Sequence, residues 1–478
     1  MIGRSAALVA ALTVVAAVLR IPALNSGLWF DEIVMVVEAV RPPLAQLVTD
    51  FRPNTHPLYA VLAQASVALF GEHAWSVRLP AVVFGVATIP VFYLMASAVT
   101  TRLEAYLAAL LLAVSYHHIW FSQNARGYTL VLFAAVLATL VFLHLVRDPQ
   151  PRWVAAYAVT AALGVYTHMT MALVVLAHAC VWMWRIARTE DALQRSPLIR
   201  TAVLALAGAA VLSGVLYGPM ANGVYAFLSV PRAGVVVATP PSGAVELVRG
   251  LRIGFGTIGP LALAAMAGLG AVSYLRRDPM VFALFTLPGA ISLGAIVVMG
   301  ASARPRFFFP LLGFALIVVV RGAAEIARLA LRTSSETLLA RTGTTLLACV
   351  MAAVSLASLP FNYRHPKQDF EGALRYIERH RFPTEPVLAA GLATYPYARF
   401  YKPTWIPLGY PAATEWPRPL EALRTYRGRV WIVYSYPEDM DPQLGTLLEG
   451  QCGQRQVFPG TLAGGDIVVC TFVGTGDP

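Results

Sequence analysis

The segment Leu28-Trp29-Phe30-Asp31-Glu32 sets two carboxylates side by side just beyond the first apolar block of the chain. A carboxylate in such a place can take the proton of an attacking hydroxyl, provided it is held within hydrogen-bond reach. Neighbouring residues cannot share a helix face, so the two acids must address different partners. The same pair also fits a plainer role, opening a helical stretch over Ile33 to Val40, where the first-turn amides favour negative charge. Spacing leaves both readings open. Further on, Asn54-Thr55-His56-Pro57-Leu58-Tyr59 supplies a histidine able to carry a proton or contact a phosphate. The run Tyr116-His117-His118-Ile119-Trp120-Phe121-Ser122-Gln123-Asn124-Ala125-Arg126-Gly127-Tyr128 then places Arg126 at the end of an apolar block without an acidic neighbour in sequence. An arginine at that depth is costly unless it meets an anion or a carboxylate. A phosphate suits its planar donors, and snorkelling to lipid headgroups is the alternative. Arg304-Pro305-Arg306 repeats the pattern later, and His168 is a weaker candidate of the same kind.

The elements that must hold these residues follow from composition. Of 478 residues, 58% are hydrophobic and 13% charged, about half the charged share of an ordinary soluble domain. The apolar residues fall in blocks near the length of about 20 that a helix needs to cross the hydrocarbon, where backbone groups find partners only within the helix. Eleven blocks are expected, at 5–24, 79–99, 103–120, 127–146, 153–165, 169–184, 199–218, 256–275, 279–299, 307–320 and 343–359. The long run 153–184 is divided at Tyr166-Thr167-His168. The first block is read as an uncleaved span, since no A-x-A site follows it. The stretch 57–70 is short for a crossing and is expected to lie on the outer surface.

The arginines set the expected topology. Arg102, then Arg147 and Arg152, then Arg185, Arg188, Arg195 and Arg200, then Arg276 and Arg277, and finally Arg321, Arg328, Arg332 and Arg341 occupy alternate connections, which the positive-inside bias assigns to the cytoplasm. The N-terminus is then cytoplasmic and residues 361–478 lie outside. Residues 1–360 hold 24 basic and 13 acidic side chains and the tail 12 of each. The net charge of +11 therefore belongs to the membrane part, where anionic lipid accounts for it. With two lysines in the chain and no basic stripe among exposed aromatics, nucleic acid is not expected as a partner. The tail reads as a small mixed α/β domain, with a helix from Phe370 to Arg379 and strands at Val430–Tyr434 and Asp466–Val469. Cys452 and Cys470 could close a loop there in an oxidising compartment, with two free thiols as the alternative, whereas Cys180 and Cys349 fall in spans.

The acidic pair, His56, Arg126, Arg304 and Arg306 all map to the outer side. That suits chemistry on a lipid-linked phosphate better than a route through the bilayer, which calls for ionisable residues near span midpoints. A flippase or transporter of lipid-linked solutes and a non-catalytic membrane scaffold are the alternatives.

In this order the residues resemble the lipid-linked glycosyltransferases of the GT-C superfamily, in particular the bacterial proteins similar to dolichyl-phosphate-mannose protein mannosyltransferases and to the aminoarabinose transferase of lipid A (family 39 type). The likeness rests on Leu28, Trp29, Asp31 and Glu32; on His56, Pro57, Leu58 and Tyr59, with one proline of the pattern missing; on Gly71, Arg78, Leu79 and Pro80; and on Phe121 to Tyr128, where Asn124 replaces a common acid. It is strong over 25–145 and returns at Arg306-Phe307 and at Lys367-Gln368-Asp369-Phe370. The resemblance implies a GT-C membrane module over 1–360, with a first outer loop at 25–78, and an extracytoplasmic α/β domain over 361–478. It further implies transfer of a sugar from a polyprenyl phosphate to an envelope lipid, glycan or protein at the outer face of the plasma membrane, generally with inversion. Asp31 would be the base, Glu32 would orient the loop or the acceptor, and His56, Tyr59, Arg126, Tyr128, Arg304 and Arg306 would bind donor phosphate or substrate. In an inverting attack the base and the groups neutralising the phosphate work on opposite sides of the sugar. Transfer without metal is the favoured expectation; magnesium or manganese is the alternative, although two adjacent acids make a poor cage.

Overall fold

The structure, a computed structural model, describes residues 2–52, 55–229, 257–298, 305–333, 337–405, 419–436, 440–462 and 464–475, together with 252 and 408. The chain forms two compact units. The first comprises Met1–Leu24, Pro43–Glu72 and Ser76–Leu359, and the second Asn25–Pro42, His73–Trp75 and Pro360–Pro478.

The first unit is helical. Its elements are α1 (Ile2–Val18), then, after α2 (Phe30–Met35) of the other unit, α3 (Leu44–Thr49), α4 (Pro57–Phe70), α5 (Ala74–Ser97), α6 (Arg102–Val114), α7 (Tyr116–Ser122), α8 (Tyr128–Arg147), α9 (Pro151–Thr167), α10 (Met171–Arg188), α11 (Ala192–Tyr217), α12 (Ala221–Ser229), α13 (Gly259–Arg277), α14 (Pro279–Val298), α15 (Leu312–Ala330) and α16 (Leu338–Arg364). A helix stands at each of the eleven expected blocks. The count of crossings differs, however. Among the described residues seven helices are long and apolar enough to span a bilayer, and α6 with α7 makes an eighth if that bent pair is one span. The helices α1, α9 and α13 lie outside that group. The division of 153–184 falls where the polar triplet stands: α9 ends at Thr167, His168 is extended, and α10 starts at Met171.

The block at 103–120 is not one straight helix. It bends by 52° between α6 and α7. Backbone groups freed at such a break need partners when water is excluded. Ser355 of α16 supplies two of them, accepting from the Tyr116 amide at 2.7 Å and donating to the Val114 carbonyl at 3.1 Å. The Ala113 carbonyl accepts from Arg20 at 3.3 Å, and the Leu112 carbonyl lies 3.0 Å from His118 Nδ1. Arg20 is itself fully buried, donating to the Ala16 carbonyl and to Ser122 Oγ. The break is thus a fixed feature that aims the turn 123–127.

Arg321 departs from its expected place in a cytoplasmic connection. It lies within α15, buried, with Nη1 2.8 Å from Glu104 Oε1 and Nη2 2.8 Å from Glu325 Oε1. Ser273 bridges the two, accepting from Arg321 Nε at 2.9 Å and donating to Glu325 at 2.7 Å. The near absence of charge expected within the spans is therefore corrected. Arg321, Glu104 and Glu325 are charged, and they pair with one another, as burial in a low-dielectric interior demands. Nearby, α13 and α15 cross closely: a Cβ at Gly270 would overlap the Val318 carbonyl, and one at Gly322 the Met266 carbonyl. Small residues at a crossing let two helix backbones approach within a membrane.

The second unit joins a four-stranded sheet to helices and to the first outer loop. Its elements are α17 (Phe370–His380), β1 (Val387–Gly391), α18 (Pro419–Thr425), β2 (Arg427–Ser435), α19 (Pro442–Gln451), β3 (Arg455–Phe458) and β4 (Ile467–Thr475), with α2 from the loop. The strand order is β1-β2-β4-β3, with β1 parallel to β2 and the other pairs antiparallel. Leu388, Val430, Ile432 and Phe472 are core residues of this unit. Cys452 is disulfide-bonded to Cys470 of β4, their Cα atoms 5.9 Å apart.

Candidate functional site

The outer-loop segment 25–42, which carries the acidic pair, belongs to the second unit. Trp29 caps α2, so Asp31 and Glu32 are its second and third residues. Glu32 is fully buried and its Oε2 accepts the Trp29 amide at 3.2 Å, which satisfies one backbone donor at the helix start. Asp31 is only partly buried. The two acids thus differ: Glu32 is buried against local backbone, while Asp31 keeps part of its surface exposed at the helix start. The loop is tied down from the tail. Gln368 Oε1 accepts the Phe30 amide at 3.0 Å, and Tyr395 donates to Glu38 at 2.8 Å while its ring meets Phe30 edge-on at 6.0 Å. Arg41 stacks over the Phe400 ring at 5.0 Å. Val36–Val40 and Pro396–Tyr401 are π-helical, a geometry that often accompanies functional sites because it re-aims side chains.

The first unit gathers His56, Arg126, Tyr128, His168 and Arg306 into one cluster. His56 caps α4 and is buried. Its ring lies 5.0 Å from Tyr128 and 4.8 Å from His168, centroid to centroid, and Tyr128 lies 6.2 Å from His168. Burial, followed by electrostatic repulsion from Arg126, His168 and Arg306, holds the His56 imidazole well below its usual range. Burial, and then Arg126 and Arg306, push His168 down to about 4. Both imidazoles are thus neutral near pH 7 and serve as hydrogen-bonding groups, while the positive charge comes from the arginines. Arg126 is 4% exposed, and among the described residues its Nε has no hydrogen-bond partner; the same holds for His56 Nδ1. No carboxylate pairs with Arg126 among those residues. A guanidinium buried without a counter-charge is what an anion would relieve. Gly127 keeps the space open, because a Cβ there would come within 2.8 Å of His56 Nδ1 and 2.7 Å of Thr167 Cγ2.

Tyr59 differs from the other candidates. It is fully buried and its hydroxyl donates to the Val77 carbonyl at 2.8 Å, holding α4 against the start of α5. Arg306 is partly buried, 5.7 Å above the Phe307 ring. Arg304 lies outside the described residues. His168, the weaker candidate of the sequence, stands beside His56 and Tyr128; its place at a helix break in an apolar run was its signal. Among the described residues no three His, Cys, Asp or Glu side chains group as metal ligands, so Asp31 and Glu32 have no third partner of those types there.

With seven or eight helices among the described residues long and apolar enough to span a bilayer, the helical core is that of a multi-pass membrane protein. Residues 52–215 match the family model of dolichyl-phosphate-mannose-protein mannosyltransferases. The whole chain is similar in structure to ArnT from Cupriavidus metallidurans in its apo state, with 16% identity, 100% of this chain and 99% of that chain covered, and a TM-score of 0.51. It is also similar to the archaeal oligosaccharyltransferase AglB from Archaeoglobus fulgidus, solved with an inhibitory peptide and a dolichol-phosphate, at 12% identity over 90% of this chain and 69% of that one, TM-score 0.50. No curated protein matches the sequence significantly. The chain therefore shares its fold with ArnT and AglB, and within residues 52–215 its sequence is similar to that of the protein mannosyltransferase family.

Proposed function

We propose that this protein transfers a sugar, with inversion, from a polyprenyl-phosphate donor to a lipid, glycan or protein of the envelope on the extracytoplasmic side. The observation that carries the reading is the cluster of the first unit, in which Arg126 and Arg306 both act on two neutral imidazoles and Arg126 meets no carboxylate among the described residues. Such a site stabilises the negative charge that grows on a departing phosphate, and preorganised donors do so without reorganisation cost. AglB, of the same fold, binds a dolichol-phosphate, which supports a lipid phosphate as the anion here.

In this reading Asp31 takes the proton of the acceptor hydroxyl as that oxygen attacks the anomeric carbon, and the sugar–phosphate bond breaks with its electrons on the phosphate. Phosphate leaves without needing a proton of its own. Glu32 fixes the start of α2, and Gln368 holds the Phe30 amide one residue before the base. The roles of His56, Tyr128, Arg126 and Arg306 are to bind and neutralise the donor phosphate. The test is to incubate the purified protein with a panel of polyprenyl-phosphate sugars and follow donor consumption and product. Asp31→Asn should keep its thermal transition and lose at least a hundredfold in transfer, within the range general-base catalysis supplies. Near-normal turnover by that variant would remove Asp31 as the base.

A further inference from the structure

His168 stands at the break between α9 and α10, and no motif assigned it a role. Its Nδ1 accepts the Thr170 amide at 3.2 Å, and Thr170 Oγ1 lies 2.8 Å from the same nitrogen. An amide can only donate, so this nitrogen carries its lone pair and the ring proton sits on Nε2. Nε2 makes no hydrogen bond to any described residue, and the ring faces His56 at 4.8 Å and Tyr128 at 6.2 Å. The charged groups that act on it are Arg126 and Arg306. His168 is partly exposed whereas His56, Arg126 and Tyr128 are buried, so its donor lies where an incoming group can reach it.

We propose that His168 is a ligand of the donor phosphate, giving its Nε2–H to a phosphate oxygen as a neutral imidazole, and that Thr170 is the positioning residue that fixes this tautomer. The inference rests on the phosphate reading of the Arg126 cluster. It assigns the imidazole a directional role distinct from that of the arginines. The arginines supply charge; His168 supplies a fixed direction, since its tautomer cannot switch without losing the Thr170 amide. The ring is already neutral before the donor binds, so this hydrogen bond needs no added proton.

The test uses the full chain in lipid nanodiscs with undecaprenyl phosphate as the probe. His168→Phe should weaken binding about tenfold, the value of one modest hydrogen bond. His168→Gln, which keeps a donor, should recover part of the loss. Nitrogen NMR of the histidine-labelled wild-type protein should show His168 protonated on Nε2 only. Binding by His168→Phe within twofold of wild type, or a spectrum with the proton on Nδ1, overturns the proposal whether or not the variant is well behaved. If Arg126→Met loses the probe while His168→Phe does not, the inference fails and the phosphate reading stands. If the wild type does not bind the probe, the phosphate reading fails and takes the inference with it.

Discussion

Replacing Arg126 by methionine separates function from stability in a way that a merely structural arginine would not. The guanidinium is 4% exposed and has no ion pair or side-chain hydrogen bond among the described residues. In the free protein it is a desolvated cation whose unmet hydrogen bonds cost about 1–3 kcal/mol. Methionine has a similar length, fills the same space and removes that cost. The folded state should therefore hold its stability or gain a little. With donor bound, two charge-assisted hydrogen bonds to phosphate are lost, each worth about 1.5–3 kcal/mol. The sum of about 3–6 kcal/mol corresponds to roughly 10²- to 10⁴-fold in transfer, at tenfold per 1.4 kcal/mol. The assay pairs donor consumption in nanodiscs with thermal unfolding of the same preparation. A variant that transfers within fivefold of wild type would refute the phosphate role. A variant that loses activity only in step with a lowered transition temperature would show that the arginine is structural.

Two further outcomes follow from the geometry. His168 has a folded-state pKa of about 4, below its ordinary value near 6.5, so between those limits the unfolded chain binds a proton that the folded chain refuses. Stability should accordingly fall as the pH drops from 6.5 to 4 and be flat in this contribution above 6.5; His56 acts in the same direction, and transition temperatures against pH should be less steep for His168→Gln than for wild type. The Cys452–Cys470 bond spans 18 residues, a loop whose cross-link contributes about 3 kcal/mol, so Cys452→Ser should make the C-terminal part markedly more sensitive to proteolysis while the helical part keeps its resistance.

Much of the helical framework was legible because lipid imposes a length and a polarity that few sequences mimic. The break at Tyr166-Thr167-His168 could be read from three polar residues in an apolar run. The bend at Ser115 could not, since its backbone groups are satisfied by Ser355, 240 residues away, and nothing local marks it. Arg321 was misread for a related reason: an arginine at the end of an apolar run looks like a cytoplasmic flank until Glu104 and Glu325 are seen to surround it. In the tail, β2 and β4 carry clear strand patterns, whereas β1, Val387–Gly391, is buried on both faces and shows no alternation. Of the candidate site, residue types pointed to His56, Arg126 and Tyr128, which the structure places close together, whereas Tyr59 holds a neighbouring helix start and the nearness of His168 to those rings shows only in the fold.

The attachment of residues 25–42 to the tail bears on how the protein can be re-engineered. A chimaera that exchanged everything after residue 360 for the tail of a relative would keep Phe30 and Glu38 yet discard Gln368 and Tyr395, which anchor them. A graft that carried both pieces together would preserve those anchors. Inheritance of the two segments as one module, despite more than three hundred intervening residues, is the natural consequence.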